Sequence, residues 1–258
     1  MKIQILPSTI DENGMASERQ HLPTMIVDDL VAVDAGCLAL SCTNRQRDKV
    51  RDILLTHTHL DHIAGLPLFI DDLFASLTSP VRVHVTKQMR DILERDIFNW
   101  SVYPRFSELS NERGPVVEYR EFESGIQFDV AHLTVRSVPV NHQVSAVGYC
   151  LSSGGTSVAI TGDTAETEEF WQLCNETKSL KGVLVECAFP DEMERLSIDS
   201  NHLTPRRLAS ELKKLVNTDL PVYVINLKPM YRERVIEQLR TADIPRVEVM
   251  KVGKVYEF

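Results

Sequence analysis

At 258 residues, with 43% hydrophobic and 25% charged side chains, the chain has the composition of an ordinary soluble globular protein with ample material for a buried core. A formal net charge of −9 and the lack of any run of five basic residues argue against a polyanionic partner, because nucleic-acid binding draws on a basic surface. No stretch approaches eighteen apolar residues, and Met1-Lys2-Ile3-Gln4-Ile5-Leu6-Pro7 lacks the apolar core of a signal peptide; no membrane partner and a cytoplasmic location are therefore expected.

Five cysteines (Cys37, Cys42, Cys150, Cys174, Cys187) are odd in number and scattered, which predicts reduced core thiols rather than a disulfide framework. Cys37 and Cys42 have no second pair at zinc-finger spacing.

In chain order, alternating apolar runs predict strands over residues 3–6, 24–27 and 30–33, with a tight turn at Asp28-Asp29. Ile53-Leu54-Leu55 reads as a buried strand. Helices are expected over residues 66–77 and 87–98, flanking a strand over 81–85. His84 falls in that strand, far from other ligand candidates, and reads as a face residue.

Residues 98–106 form the most aromatic stretch, in which Trp100 and Tyr103 either pack or stack on a nucleobase. Short strands fill residues 116–159, with a hairpin turn at Ser152-Ser153-Gly154-Gly155. Thereafter helices (166–174, 204–216, 229–239) alternate with strands (182–187, 222–225), and short strands at 247–249 and 255–257 close the pattern.

The densest chemistry is His57-Thr58-His59-Leu60-Asp61-His62, three imidazoles and a carboxylate on a strand-to-helix turn. In extended backbone, residues two apart point the same way, so His57 and His59 can converge on one metal, while Asp61 and His62, past the bend, can face a second. Such a donor set suits zinc, manganese or iron, whereas calcium and magnesium sites are built almost wholly from oxygen. His142 and Asp163 each follow an apolar strand and open a loop, where a sheet presents ligands at its end.

The six-residue stretch matches the His-x-His-x-Asp-His signature of the metallo-β-lactamase superfamily, and its longer form, HTHLDHIAGL, is similar to that of the class II 3′,5′-cyclic nucleotide phosphodiesterases. The resemblance implies one metallo-β-lactamase-like domain over residues 1–258, folded as a four-layer α/β/β/α sandwich. It implies two divalent ions, zinc in the first place, with manganese or iron at a weaker second site. His142 completes the first site, Asp163 resembles the bridging ligand, and Asp34 either supports the metal loop or is an ordinary turn residue.

Ser200-Asn201-His202-Leu203-Thr204-Pro205 resembles the loop that carries a catalytic histidine in phosphodiesterase members. Where the family places its last metal-binding histidine this chain has Asn226, a neutral and weaker ligand than imidazole, so a weakly held or harder second ion is expected. Glu186 either orients a histidine or ends its strand in solvent, and Lys228 either holds a phosphate or is a surface lysine.

The implied function is hydrolysis of cyclic AMP or cyclic GMP to 5′-nucleotides, a small phosphodiester partner, by a hydroxide bridging two ions, with Asp61 at the metal pair and His202 giving a proton to the leaving oxygen. A tRNase Z-like RNA 3′-end endonuclease is the alternative within the superfamily. A nucleotide-binding sensor with an impaired second site is the alternative outside catalysis. A homodimer is compatible with any of these readings.

Overall fold

The computed structural model describes the whole chain except residues 243 and 245. The strands, in chain order, are β1 (Lys2–Ile5), β2 (Met25–Val27), β3 (Val31–Val33), β4 (Asp52–Leu54), β5 (Val81–Val85), β6 (Ser110–Asn111), β7 (Gly114–Pro115) and β8 (Val117–Glu121). They continue with β9 (Gln127–Val130), β10 (Leu133–Pro139), β11 (Val147–Ser153), β12 (Thr156–Ile160), β13 (Leu180–Glu186), β14 (Val222–Ile225), β15 (Val247–Val249) and β16 (Val255–Glu257).

They build two seven-stranded mixed sheets, ordered β16-β1-β2-β3-β4-β5-β8 and β15-β14-β13-β12-β11-β10-β9, beside a small β6–β7 ribbon. Asp28 and Asp29 both take positive φ, 51° and 59°, which makes the tight β2–β3 turn that the Asp pair predicts.

Period-two alternation sorts the second sheet's side chains between two cores. Tyr149, Leu151, Val158, Ile160, Leu184 and Ile225 point inward and join the core shared with the first sheet. Their neighbours Cys150, Ala159, Val183, Val185, Val222 and Val224 point outward under Phe170, Trp171, Leu208 and Val235. Those covers come from α6 (Glu169–Glu176), α8 (Pro205–Glu211) and α9 (Arg232–Thr241). On the other side Leu38, Leu66, Phe69, Ile70 and Met89 cover the first sheet, from α1 (Leu38–Ser41), α4 (Gly65–Leu73) and α5 (Lys87–Ile92). The layers are therefore helix, sheet, sheet, helix, as the resemblance implies.

Short helices complete the set: α2 (Asn44–Lys49), α3 (Leu60–Ile63) and α7 (Glu194–Asp199). Several helix bounds differ from the periodicity. The helix expected from residue 166 starts at Glu169 because the preceding loop is tied to its neighbours: the Ala165 N–H donates to the Asn141 carbonyl at 2.7 Å and the Thr167 N–H to the Glu211 carboxylate at 2.9 Å. α5 widens into a π-helical turn over Leu93–Ile97, and α8 ends in a 3-10 turn over Leu212–Lys214.

β3, β4 and β5 run parallel, as do β12, β13 and β14, with Val33 opposite Leu54 and Glu186 opposite Ile225. Their carboxyl ends share one edge of the sandwich, the position at which sheets of this kind present ligands. The Val147 N–H donates to the Thr56 carbonyl at 2.9 Å, joining the two sheets at that edge. No helix among the described residues is long and apolar enough to cross a membrane.

Candidate metal centre

The six-residue stretch leaves β4 extended and enters α3, with His59 capping the helix at φ −63° and ψ 146°. The bend fits only because the backbone behind it is bare: a Cβ on Gly36 would lie 2.0 Å from the Asp61 carbonyl oxygen. Gly162, at φ +66°, lies against Thr56, where a Cβ would come within 2.8 Å of the threonine Cβ. These two glycines let the loop carrying Asp163 close on the loop carrying the histidines.

Asp34, buried at φ +58°, is no ordinary turn aspartate. Its carboxylate accepts from the Thr56 N–H at 2.8 Å, from the Thr56 hydroxyl and from His62 Nδ1 at 2.7 Å. The Thr56 oxygen also meets His57 Nδ1 at 3.1 Å. Each ring thus spends its δ nitrogen outward on a fixed partner, and the His57 and His62 Nε2 atoms are left buried without a hydrogen bond. A ligating histidine is oriented in this way, one nitrogen anchored on a fixed partner and the other turned into the site, where His62 Nε2 lies 3.3 Å from Asp163 Oδ2.

His59 Nδ1 and His142 Nε2 come within 3.0 Å of each other, and His142 Nδ1 is oriented by the Asn201 carbonyl at 3.1 Å. The ligand atoms of His57, His59 and His142 form one convergent group and those of His57, His62 and Asp163 a second; within each group all lie within 4.8 Å. Buried nitrogens without hydrogen bonds, gathered round a carboxylate, fit a divalent ion.

The electrostatics agree with that donor set. Burial holds the His57 imidazolium form well down, helped by His62, and burial likewise lowers His59 and His142, so all three offer lone pairs at neutral pH. For His62 burial acts the same way, but Asp163 and Asp34 outweigh it and raise its pKa well above the ordinary imidazole value. Burial alone would raise Asp163, yet the His62 charge keeps its carboxylate ionised.

Asp61 stands on the rim, its Oδ2 4.0 Å from His62 Nε2 and 3.5 Å from Lys228 Nζ. Asn226, expected as a feeble ligand, lies at the site, but its Nδ2 donates to Asp163 Oδ1 at 2.7 Å. The Nδ2 of an amide has no free lone pair for a metal.

His202 and Glu186 form a second unit beside the histidines. Glu186 is fully buried rather than solvated; it accepts from His202 Nδ1 at 2.8 Å and from the backbone of Thr164, Ala188 and Leu203. Burial opposes charging of His202, but Glu186 prevails and raises its pKa. The His202 ring lies 5.1 Å from that of His142, and its ligand atom groups with those of His142 and Asp163 within 4.8 Å.

Two supports carried no sequence signal of their own. Arg207 Nη1 donates to the His202 carbonyl at 2.6 Å while its Nε grips Glu166 at 2.6 Å, clamping the His202 loop to the loop after Asp163. Thr56, next to the signature, is the other.

The remaining candidates lie elsewhere. Tyr103 donates to Asp71 at 3.1 Å and packs on Phe106, and Trp100 is 56% exposed at φ +68°. Among the described residues neither has a hydrogen bond or ring contact to the histidine cluster. His84 is a buried face residue that pairs with Asp52 at 2.9 Å, away from the cluster. The cysteines are free, four of them buried.

Two stacked sheets, helices outside, and a histidine–aspartate cluster at one edge give the chain the architecture of a metallo-hydrolase family. The chain belongs to the metallo-β-lactamase superfamily: the family model described as "Beta-lactamase superfamily domain" matches residues 31–221. It is 26% identical over 213 residues to a probable 3′,5′-cyclic-nucleotide phosphodiesterase of Yersinia pestis, covering 72% of this chain and 60% of that one. It is 26% identical over 176 residues to a ribonuclease Z of Mycobacterium bovis, covering 65% of this chain and 59% of that one. The chain thus spans less than two thirds of these relatives' length. Among solved structures, unliganded yeast PDE1 superposes with a TM-score of 0.78, 17% identity and 98% coverage of both chains, a likeness of fold.

Proposed function

We propose that this protein is a metal-dependent phosphodiesterase that hydrolyses 3′,5′-cyclic nucleotides to 5′-nucleotides. The observation that carries the reading is the Glu186–His202 pair set against His142 and Asp163, an acid beside a metal-ligand cluster. A ribose alkoxide is a poor leaving group and needs a proton as it departs, which a histidine held on a carboxylate can supply.

In this reading His57, His59, His142 and Asp163 would hold one divalent ion, and Asp61 and His62 would border a second cation position. A divalent ion held by the first group would supply Lewis acidity toward a phosphoryl oxygen and would ionise water at neutral pH. The chain's own residues do the rest. Asp34 and Thr56 fix the histidine rings, so the ligand atoms converge before anything binds. Glu186 takes the Nδ1 proton of His202 in a hydrogen bond and stabilises the imidazolium, leaving Nε2–H as the donor to the departing oxygen. Arg207 holds the loop that aims it.

The Yersinia pestis relative, named as a probable 3′,5′-cyclic-nucleotide phosphodiesterase, supports the substrate class, and the net charge of −9 disfavours a long polyanion. The test is release of 5′-AMP or 5′-GMP from the cyclic nucleotides by purified protein supplied with zinc or manganese. His202→Ala is expected to keep its metal and lose turnover by on the order of a hundredfold or more. Unchanged turnover removes His202 from the mechanism, and maturation of a precursor tRNA in place of cyclic nucleotide hydrolysis moves the protein to the ribonuclease Z reading.

A further inference from the structure

The second cation position already has a cation beside it. Lys228 comes from the loop after β14, two residues beyond Asn226, and its Nζ reaches the Asp61 carboxylate at 3.5 Å, across 167 residues of chain. Its backbone N–H is tied to the Ala188 carbonyl at 3.2 Å, which fixes the base of the side chain beside Glu186. Asn226, meanwhile, occupies Asp163 Oδ1 with its amide N–H. The two carboxylates bordering the second position are thus both engaged by donors of one short loop, one of them an ammonium. His62, with its δ nitrogen fixed on Asp34, is the remaining group there.

Resting on the metal-hydrolase reading above, we infer that this chain binds a single divalent ion tightly, at His57, His59, His142 and Asp163, and that the Lys228 ammonium takes the second cation's place on Asp61. A divalent ion at the second position would have to displace an ammonium from one ligand and an amide donor from another, and would find no imidazole at position 226 in return. Lysine is suited to the substitution, being a compact charge on a flexible stem. From there it also presents positive charge to a phosphate oxygen. It is a third independent cation beside His202 and the bound ion, and it is supplied by the protein rather than by metal supply.

The experiment counts ions. Wild-type protein, Lys228→Met, Lys228→Arg and the double variant Asn226→His/Lys228→Met are stripped, titrated with zinc or manganese, and analysed by calorimetry and elemental analysis. Lys228 is partly exposed, so its replacement leaves the core intact, and far-ultraviolet circular dichroism checks this. Wild type and Lys228→Arg are expected to take up about one ion per chain, Lys228→Met to bind a second ion about 10-fold or more tighter than wild type, and the double variant to hold two. Two ions of similar affinity in wild type, or a second-ion affinity indifferent to Lys228→Met, overturns the inference while leaving the metal-hydrolase reading standing. No ion bound by wild type overturns that reading itself.

Discussion

Replacing Glu186 by Gln tests the acid directly. The carboxylate is wholly buried and receives four donors, His202 Nδ1 and Thr164 N on one oxygen and Ala188 N and Leu203 N on the other. An amide must put its NH2 on one side or the other, so either orientation strands one or two backbone donors at about 1–3 kcal/mol each. A loss of about 2 kcal/mol lowers the Tm of a chain this size by about 4–8 °C.

The larger effect is on protonation. Burial by itself lowers the His202 pKa and Glu186 raises it, so without the carboxylate's charge the imidazolium is lost at lower pH. The alkaline limb of the kcat profile for cyclic nucleotide hydrolysis must therefore move to lower pH, with metal content unchanged. The stability contributed by the pair has the matching sign. It is complete below the unfolded imidazole pKa of about 6.5 and is lost as pH rises through the higher folded value. A Glu186→Gln enzyme whose alkaline limb stays in place would refute the assignment of His202 as the acid held protonated by Glu186.

Other outcomes follow from the same geometry. Asp34→Asn is expected to weaken metal binding about 10–100-fold, read by competition with a chromophoric chelator, because His62 and Thr56 lose a common acceptor. Arg207→Ala frees the His202 carbonyl and is expected to lower kcat by on the order of 10²-fold, KM little changed and metal retained, since its clamp orients the acid without being one of the grouped ligand residues. Metal affinity is expected to fall, and proton release on binding to grow, as pH falls through the range where the His57, His59 and His142 imidazoles begin to protonate; calorimetry in buffers of different ionisation enthalpy measures both. Gly162→Ala, at φ +66° against Thr56, is expected to destabilise by about 1–3 kcal/mol in thermal melts.

How far the sequence foretold this arrangement differs residue by residue. The His57–His62 cluster announced itself because its donors share one turn, and His142 and Asp163 stood at strand ends in a recognisable order. Strands β14, β15 and β16 fall where their apolar runs predict. α1 and α2 passed unnoticed, although Thr43 and Gln46 form a capping box that a search for that spacing finds. The helix bounds slipped where long-range donors, such as Glu211 to the Thr167 amide, compete with helical bonding. Glu186 admits two equal readings from sequence because nothing local says a strand-end carboxylate will be enclosed. Arg207 was invisible for a similar reason: its partners at 166, 197 and 202 are brought together only by the fold. The direction of the Asn226 amide is likewise set by Asp163, 63 positions away.

The placement of the histidines makes folding and loading one problem. His57 and His59 come from the end of a strand in one sheet, while His142 and Asp163 come from strands in the other, so an ion held by all four acts as a rivet across the sandwich. Its affinity appears as resistance to unfolding, growing as RT ln(1 + [ion]/Kd) with free-ion concentration. A melting curve recorded against a series of buffered zinc levels is then a binding isotherm, obtained without substrate, and chelation should loosen this edge of the two sheets first.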